Sequence, residues 1–320
     1  KGEFVEEIGI LNRIATALRE ERFRRGSFNF ETQEVRFRLD EKGKPLSIYI
    51  REMKEANKLI EDFMLLANRR VAEFIGRKTD GRPPKTFVYR VHDEPNPEKL
   101  ENFSQFVGRL GYKVKLNSKK SLADSFNRLF EMIKGTGTEN MIETIAIRTM
   151  SKAYYSTHNI GHYGLAFEHY SHFTSPIRRY PDLMTHRLLL SYLNNGPSVS
   201  QEEYEPMCEH ASEMERRATE AERMSVKYKQ AEYMLDKIGQ QFDARVSGVG
   251  KWGIFAEITG TKCEGMIRLR DMEDDYYYLD EENYQIIGQR HGNRFKLGDS
   301  IRIRVKRIDL ARKQMDYDLV

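Results

Sequence analysis

The stretch HFTSPIRRYPDLMTHR, His172 to Arg187, sets two adjacent arginines behind Thr-Ser-Pro and follows them with an acid and a histidine at helical spacing. A helix opening near Ser175-Pro176 would take Thr174 or Ser175 as its cap and Pro176 at its first position, where a missing N–H costs nothing. Arg178, Asp182 and His186 would then stand at i, i+4 and i+8 on one face. Free backbone N–H groups, the positive end of the helix dipole and the guanidinium groups of Arg178 and Arg179 would converge there, which makes a grip for a phosphate or carboxylate. The competing reading of the same spacing is a solvated, charged helix.

His158, His162, His169, His172 and His186 crowd the same region. Zinc sites bring cysteine or carboxylate partners at fixed spacing, and none stands out here. Packing, hydrogen bonding or contact with a ligand is therefore expected of these rings, and metal binding is not. Cys208 and Cys263 lie far apart and outside any C-x-x-C pattern, so buried thiols are expected.

The elements that must position this stretch can be read from periodicity. Val5, Ile8, Leu11, Ile14 and Leu18 recur at helical steps, and Gly26 stands where that helix would end. Val35, Phe37, Leu39 and then Leu46, Ile48, Ile50 alternate around the turn-forming Lys42-Gly43-Lys44-Pro45, which is a hairpin pattern. EANKLIEDFMLLANRRVAEFIG returns to helical spacing, TFVYRV reads as a strand, and Asn96 to Ile147 read as mostly helical, with loops at Lys119-Lys120 and Gly135 to Gly137. A long helix opens at Ser200, with Glu203 in capping-box spacing, and runs toward Gly239. From Gln240 the pattern changes to short strands bounded by glycine, most plainly where Ile301, Ile303 and Val305 alternate with Arg302, Arg304 and Lys306. That fits a small closed barrel of the OB type.

Composition bounds the function. An apolar share of 39% suits a packed globular chain, and no apolar run approaches the roughly 18 residues of a membrane span. A cytoplasmic location with no membrane partner is the expectation. The formal charge of +4 permits nucleic-acid binding without demanding it. From Gln241 onward 14 Lys and Arg stand against 14 Asp and Glu, so the first 240 residues hold the whole excess.

HYGLAFEHYSHFTSPIRRYPDLMTHRLL resembles the signature of the ribonuclease II and ribonuclease R family of processive exoribonucleases. SFNFETQEVRFRLDEKGKP, ANKLIEDFMLLANRRVAEFI, FVYRVHDEPNPEKLENF and ERRATEAER are similar to blocks of that family's catalytic domain, in the same order. VSGVGKWGIFAEI and DDYYYLDEENYQIIGQRHGNRFKLGD resemble its terminal S1-type OB domain. The resemblance implies an α+β chain: residues 1–239 as the C-terminal part of a catalytic domain, a mixed sheet with helices, and residues 240–320 as an RNA-binding barrel. It implies magnesium-dependent hydrolysis of single-stranded RNA from the 3′ end to nucleoside 5′-monophosphates, by a protein expected to be a monomer.

Carried over by position, Arg178 is the catalytic arginine at the scissile phosphate, and Thr174, Ser175, Arg179, Tyr180 and His186 line the RNA beside it. The resemblance likewise matches Glu61 to the carboxylate that contacts the terminal ribose, Phe30 to the aromatic that stacks on bases near the 3′ end, and Glu222 to a glutamate near the site. In the barrel, Trp252 and Phe255 are expected to stack bases while Lys251, Arg302 and Arg304 track the backbone. The family's metal-binding aspartates belong to a segment N-terminal to this chain's first residue, and no equivalent is found here. The acidic run Asp271 to Glu282 is expected to be a solvated loop. The expectation is thus a C-terminal portion, inactive alone. A non-catalytic RNA-binding protein built from the same parts is the alternative.

Overall fold

Two parallel-running helices set up one side of the molecule. Helix α1 (Val5–Arg24) ends at Gly26, whose φ of 94° requires a residue without a side chain. Helix α2 is Glu55–Gly76. The computed structural model describes residues 2–28, 34–78, 83–136, 138–281 and 283–320, so Phe30 lies outside the described residues. Arg19 meets Glu55 at the start of α2 and Arg22 meets Asp62, which aligns the two helices in the same direction. The first turns of α1 consequently project past the start of α2. Their apolar stripe is therefore not core: Val5, Ile8, Leu11 and Ile14 are exposed, and Ala15 is the buried residue of α1.

The expected hairpin is present as β1 (Glu34–Leu39) and β2 (Pro45–Arg51), antiparallel, with Asp40 accepting hydrogen bonds from Lys42 N and Lys44 N in the turn. The strand expected in TFVYRV shortens to β3 (Tyr89–Val91), which pairs with β4 (Tyr154–Ser156). Between them lie α3 (Pro97–Arg109), α4 (Lys119–Ile133) and α5 (Glu139–Thr149). Lys119-Lys120 open α4 instead of forming a loop, because Ser118 Oγ accepts from Ser121 N at 3.2 Å and caps the helix. Phe103, Phe126, Ile133 and Ile142 from these helices are almost fully buried in one core. A second core joins Ala72 and Ile75 of α2, Phe87, Val88, Tyr89 and Val91, Tyr155, and the apolar sides of α6 (Tyr180–Leu193) and α7 (Gln201–Met234).

Helix α7 begins as expected, with Ser200 Oγ accepting from Glu203 N, and Cys208 is buried against the second core. Its residues 216–225 are exposed all round before Gln230 and Met234 become buried beside the last part of the chain.

There β5 (Gln241–Gly250), β6 (Gly253–Ile258), β7 (Glu264–Arg268), β11 (Ser300–Asp309) and β12 (Gln314–Leu319) close into a barrel, in the order β11-β12-β7-β6-β5. Ile254, Ile258, Ile267, Ile303 and Tyr317 fill it. Strands β8 (Tyr277–Asp280), β9 (Gln285–Gly288) and β10 (Arg294–Lys296) form a separate antiparallel sheet inserted between β7 and β11. Edge-to-face packing of Phe106 on Tyr284, 4.9 Å between ring centres, ties α3 to this insertion.

Gly253 lets β7 approach β6, since a Cβ there would lie 2.3 Å from the Ile267 carbonyl oxygen. Gly253→Ala is expected to destabilise the barrel by about 1–3 kcal/mol through overpacking. Urea denaturation followed by the emission of the adjacent Trp252 measures it.

Candidate active site

Helix α6 starts four residues later than the Thr-Ser-Pro spacing suggests. Pro176 to Arg178 form a turn, and Pro181, not Pro176, occupies the first helical turn. The cause is Asp182, which is fully buried. Its Oδ1 accepts from Ser175 N at 2.8 Å and from Arg179 Nη2 at 2.8 Å. The Ser175 N–H is engaged by that carboxylate, and its carbonyl accepts from Arg178 N and Arg179 N, which closes residues 176–178 as a turn ahead of the helix. Arg178 therefore precedes the helix, while Asp182 and His186 alone keep the shared face.

A second acceptor holds the chain just upstream. Asn68 of α2 is buried, and its Oδ1 accepts from Phe173 N at 2.9 Å and Thr174 N at 3.2 Å, while its Nδ2 donates to Tyr170 OH. Thr185 Oγ1 donates to the His172 carbonyl. His186 Nε2 donates to the Phe173 carbonyl at 2.8 Å, and the two rings stack 3.9 Å apart within 5° of parallel. Every residue from His172 to Ser175 is thus fixed by a side chain from α2 or α6. Beyond this clamp the turn is left in solvent: Ile177 and Arg178 are exposed, as is Tyr180. Arg178 keeps one weak contact, 3.5 Å from Nη2 to Ser175 Oγ. A guanidinium on a rigid, exposed apex can meet a phosphate without reorganising.

Two histidines beneath the clamp are held neutral. Burial, with Arg179 and Arg90 close by, pushes His172 down to about 2, and burial beside His92 pushes His162 down to about 3. Tyr155 OH lies 2.8 Å from His172 Nδ1, and burial raises that phenol to about 12. Among the described residues no three His, Cys, Asp or Glu side chains converge as metal ligands.

Of the other expected site residues, Glu61 is exposed on α2, seven residues before Asn68 and so on the same helical face. Glu222 lies on the stretch of α7 that is exposed all round, two turns beyond Glu215, which pairs with Arg90 at 2.5 Å. In the barrel, Lys251 and Trp252 form the β5–β6 turn, Trp252 is 81% exposed, and Phe255 points outward over Gly248. Arg302 and Arg304 sit at the opposite end of β5, facing Asp243 and Gln241. Phe255 faces Gly248, five residues along from Asp243, so the aromatic and cationic groups are separated by about 16 Å. Periodicity had no means of locating Asn68 or Tyr170; an asparagine inside a leucine-rich helix was the one available signal.

The RNB domain model matches residues 2–195, and the S1 RNA binding domain model matches residues 235–318. The chain belongs to the RNB domain family. Ribonuclease R of Aquifex aeolicus is 37% identical over 320 residues, which are 99% of this chain and 44% of that protein. Ribonuclease R of Thermotoga maritima is 39% identical over 315 residues, 96% of this chain and 43% of that protein. The chain thus spans less than half the length of these curated relatives. The apo form of Mycoplasma genitalium RNase R shares the fold, with a TM-score of 0.89 at 24% identity over 99% of this chain and 50% of that one. The clamp and Arg178 lie within the residues that the RNB domain model matches.

His172 and His162 bind a proton in the unfolded chain near pH 6.5 but not in the folded one until far lower. The unfolded state therefore gains protons first, so stability is intact above about pH 6.5 and falls as pH drops below it. From pH 7 to pH 5 the loss is expected to be about 2 kcal/mol per ring. Urea titrations at the two pH values measure it, and His172→Gln should flatten the dependence.

Proposed function

We propose that this chain is the C-terminal portion of a 3′-to-5′ exoribonuclease that acts in the cytoplasm on single-stranded RNA, with residues 1–239 belonging to the catalytic domain and 240–320 to the RNA-binding barrel. The reading is supported above all by the clamp, in which Asn68 and Asp182 lock the family signature so that Arg178 stands exposed at its apex. Water attacks phosphorus of the last phosphodiester, and the bond to the preceding 3′ oxygen breaks. That oxygen takes a proton to become the new 3′-OH, and a nucleoside 5′-monophosphate departs. Arg178 stabilises the charge that builds on the phosphoryl and leaving oxygens. Arg179, tied to Asp182, holds the turn. Glu61, on the face of α2 that carries Asn68, would meet the ribose hydroxyls of the terminal nucleotide.

Magnesium is the metal this chemistry calls for, and a ligand cluster for it does not fit the described residues of this chain. The 320-residue chain alone is therefore expected to release no monophosphate from poly(A) with magnesium present, and robust release would overturn that division of labour. In a polypeptide of the relatives' full length, Arg178→Ala is expected to lower kcat by about a hundredfold or more, with RNA affinity nearly unchanged. Single-turnover kinetics beside equilibrium binding separate the two. A parallel loss of affinity would make Arg178 a positioning residue.

A further inference from the structure

The acidic run expected to be a solvated loop includes β8, and its Asp271, Asp274, Asp275 and Asp280 are engaged by partners within the fold. Asp271 pairs with Lys306 at 3.0 Å, and Asp274 accepts from Tyr277 OH at 2.8 Å. The Asp275 carboxylate has no exposure and accepts from the backbone N–H groups of Tyr276, Arg290 and His291. Asp280 accepts from Asn283 and Gln285, both at 2.7 Å. These bonds shape β8, β9 and β10 into a rigid three-stranded sheet.

Register decides what each face of that sheet carries. Tyr277, Leu279, Ile286 and Phe295 turn inward to the core. On the other face Tyr278, Ile287 and Arg294 form one cross-strand row, and Asp280, Gln285 and Lys296 form the next. Tyr276 extends the face by one more row, since its carbonyl accepts from Gln289 N. Tyr276 is 66% exposed and Tyr278 48%, and Arg294 and Lys296 are exposed at the far edge. The Arg290 guanidinium lies 4.9 Å from the Tyr276 ring centre, and among the described residues neither Arg294 nor Lys296 is held by a carboxylate.

We infer that this face is a second RNA-contact surface, distinct from the Trp252–Phe255 end of the barrel. It rests on reading the chain as an RNA-processing protein. Exposed tyrosines along one strand offer stacking planes for bases, and cations two strands away offer charge for the phosphates beside them. Single-stranded RNA fits both chemistries, because its bases are free to splay onto a flat sheet face. The sheet lies outside the closed barrel, so a strand crossing it would add to whatever the barrel holds.

The test is fluorescence anisotropy of a labelled poly(A) oligonucleotide with the whole chain and with Tyr278→Ala, Arg294→Ala and Trp252→Ala. Tyr278→Ala is expected to weaken binding about tenfold. Arg294→Ala should reduce the slope of log affinity against log salt by about 0.7, as for one lost phosphate contact on a single strand. Photo-crosslinking should capture Tyr276 or Tyr278, and the Tyr278→Ala and Trp252→Ala losses should combine additively if the two surfaces are separate. RNA binding that is intact in both Tyr278→Ala and Arg294→Ala overturns the inference while leaving the proposed function standing. So does a face whose substitution alters only association between copies of the chain. Failure of the unaltered chain to bind RNA at all sinks both.

Discussion

A buried carboxylate at the foot of α6 governs the geometry of everything around it. Asp182 is fully buried, and an uncompensated charge there would cost several kcal/mol. Compensation comes from Ser175 N and from the Arg179 guanidinium. Both partners lie in the turn that carries Arg178, so the same bonds that make the charge tolerable also fix the apex. The clamp is not saturated: Asp182 Oδ2, Arg179 Nε and Thr174 Oγ1 are buried with no hydrogen-bond partner among the described residues. Asn68 then couples this turn to α2, which carries Glu61, so two helices far apart in sequence are set to one frame.

Local pattern recovered elements whose causes are local. The β1–β2 hairpin follows from alternation around a glycine turn, α7 opens at its serine cap, and the barrel strands follow from isoleucines and valines facing inward. Where a residue's fate depends on a distant partner, pattern was insufficient. The start of α6 was misplaced because the turn before it is held by a carboxylate seven residues beyond Ser175, which accepts from both Ser175 N and Arg179. The spacing of α1 marked a helix but not what covers it, and the start of α2 opposite Arg19 leaves its first turns uncovered.

The same distinction separates the candidate site residues. Arg178 was legible from its motif, but Asn68, Tyr155 and Tyr170, which build its support, come from other elements and announce themselves by no spacing. In the barrel, alternation placed Arg302 and Arg304 outward correctly, but only strand register reveals that they stand at the other end of β5 from Phe255. The acidic segment misled for a further reason. Composition counts its carboxylates as solvated charge, whereas the fold uses them as internal acceptors and turns the tyrosines to water.

Helix α7 runs about 50 Å, packed at its first half against the core under the clamp and at its last turn against the barrel. Between those anchorages residues 216–225 touch no core, so nothing but the backbone's own helicity keeps them straight. The stretch RRATEAERMS suits that task, since alanine, glutamate, arginine and methionine are strong helix formers. It works as a strut: rigid in compression, with no lateral bracing. A load applied to the barrel by a strand under tension would travel along this rod to Glu215, whose partner Arg90 is a charged neighbour of the neutral His172. The stiffness of those ten residues, together with the Phe106–Tyr284 contact between α3 and the barrel insertion, therefore sets how far a pull at one end of the chain is felt at the other.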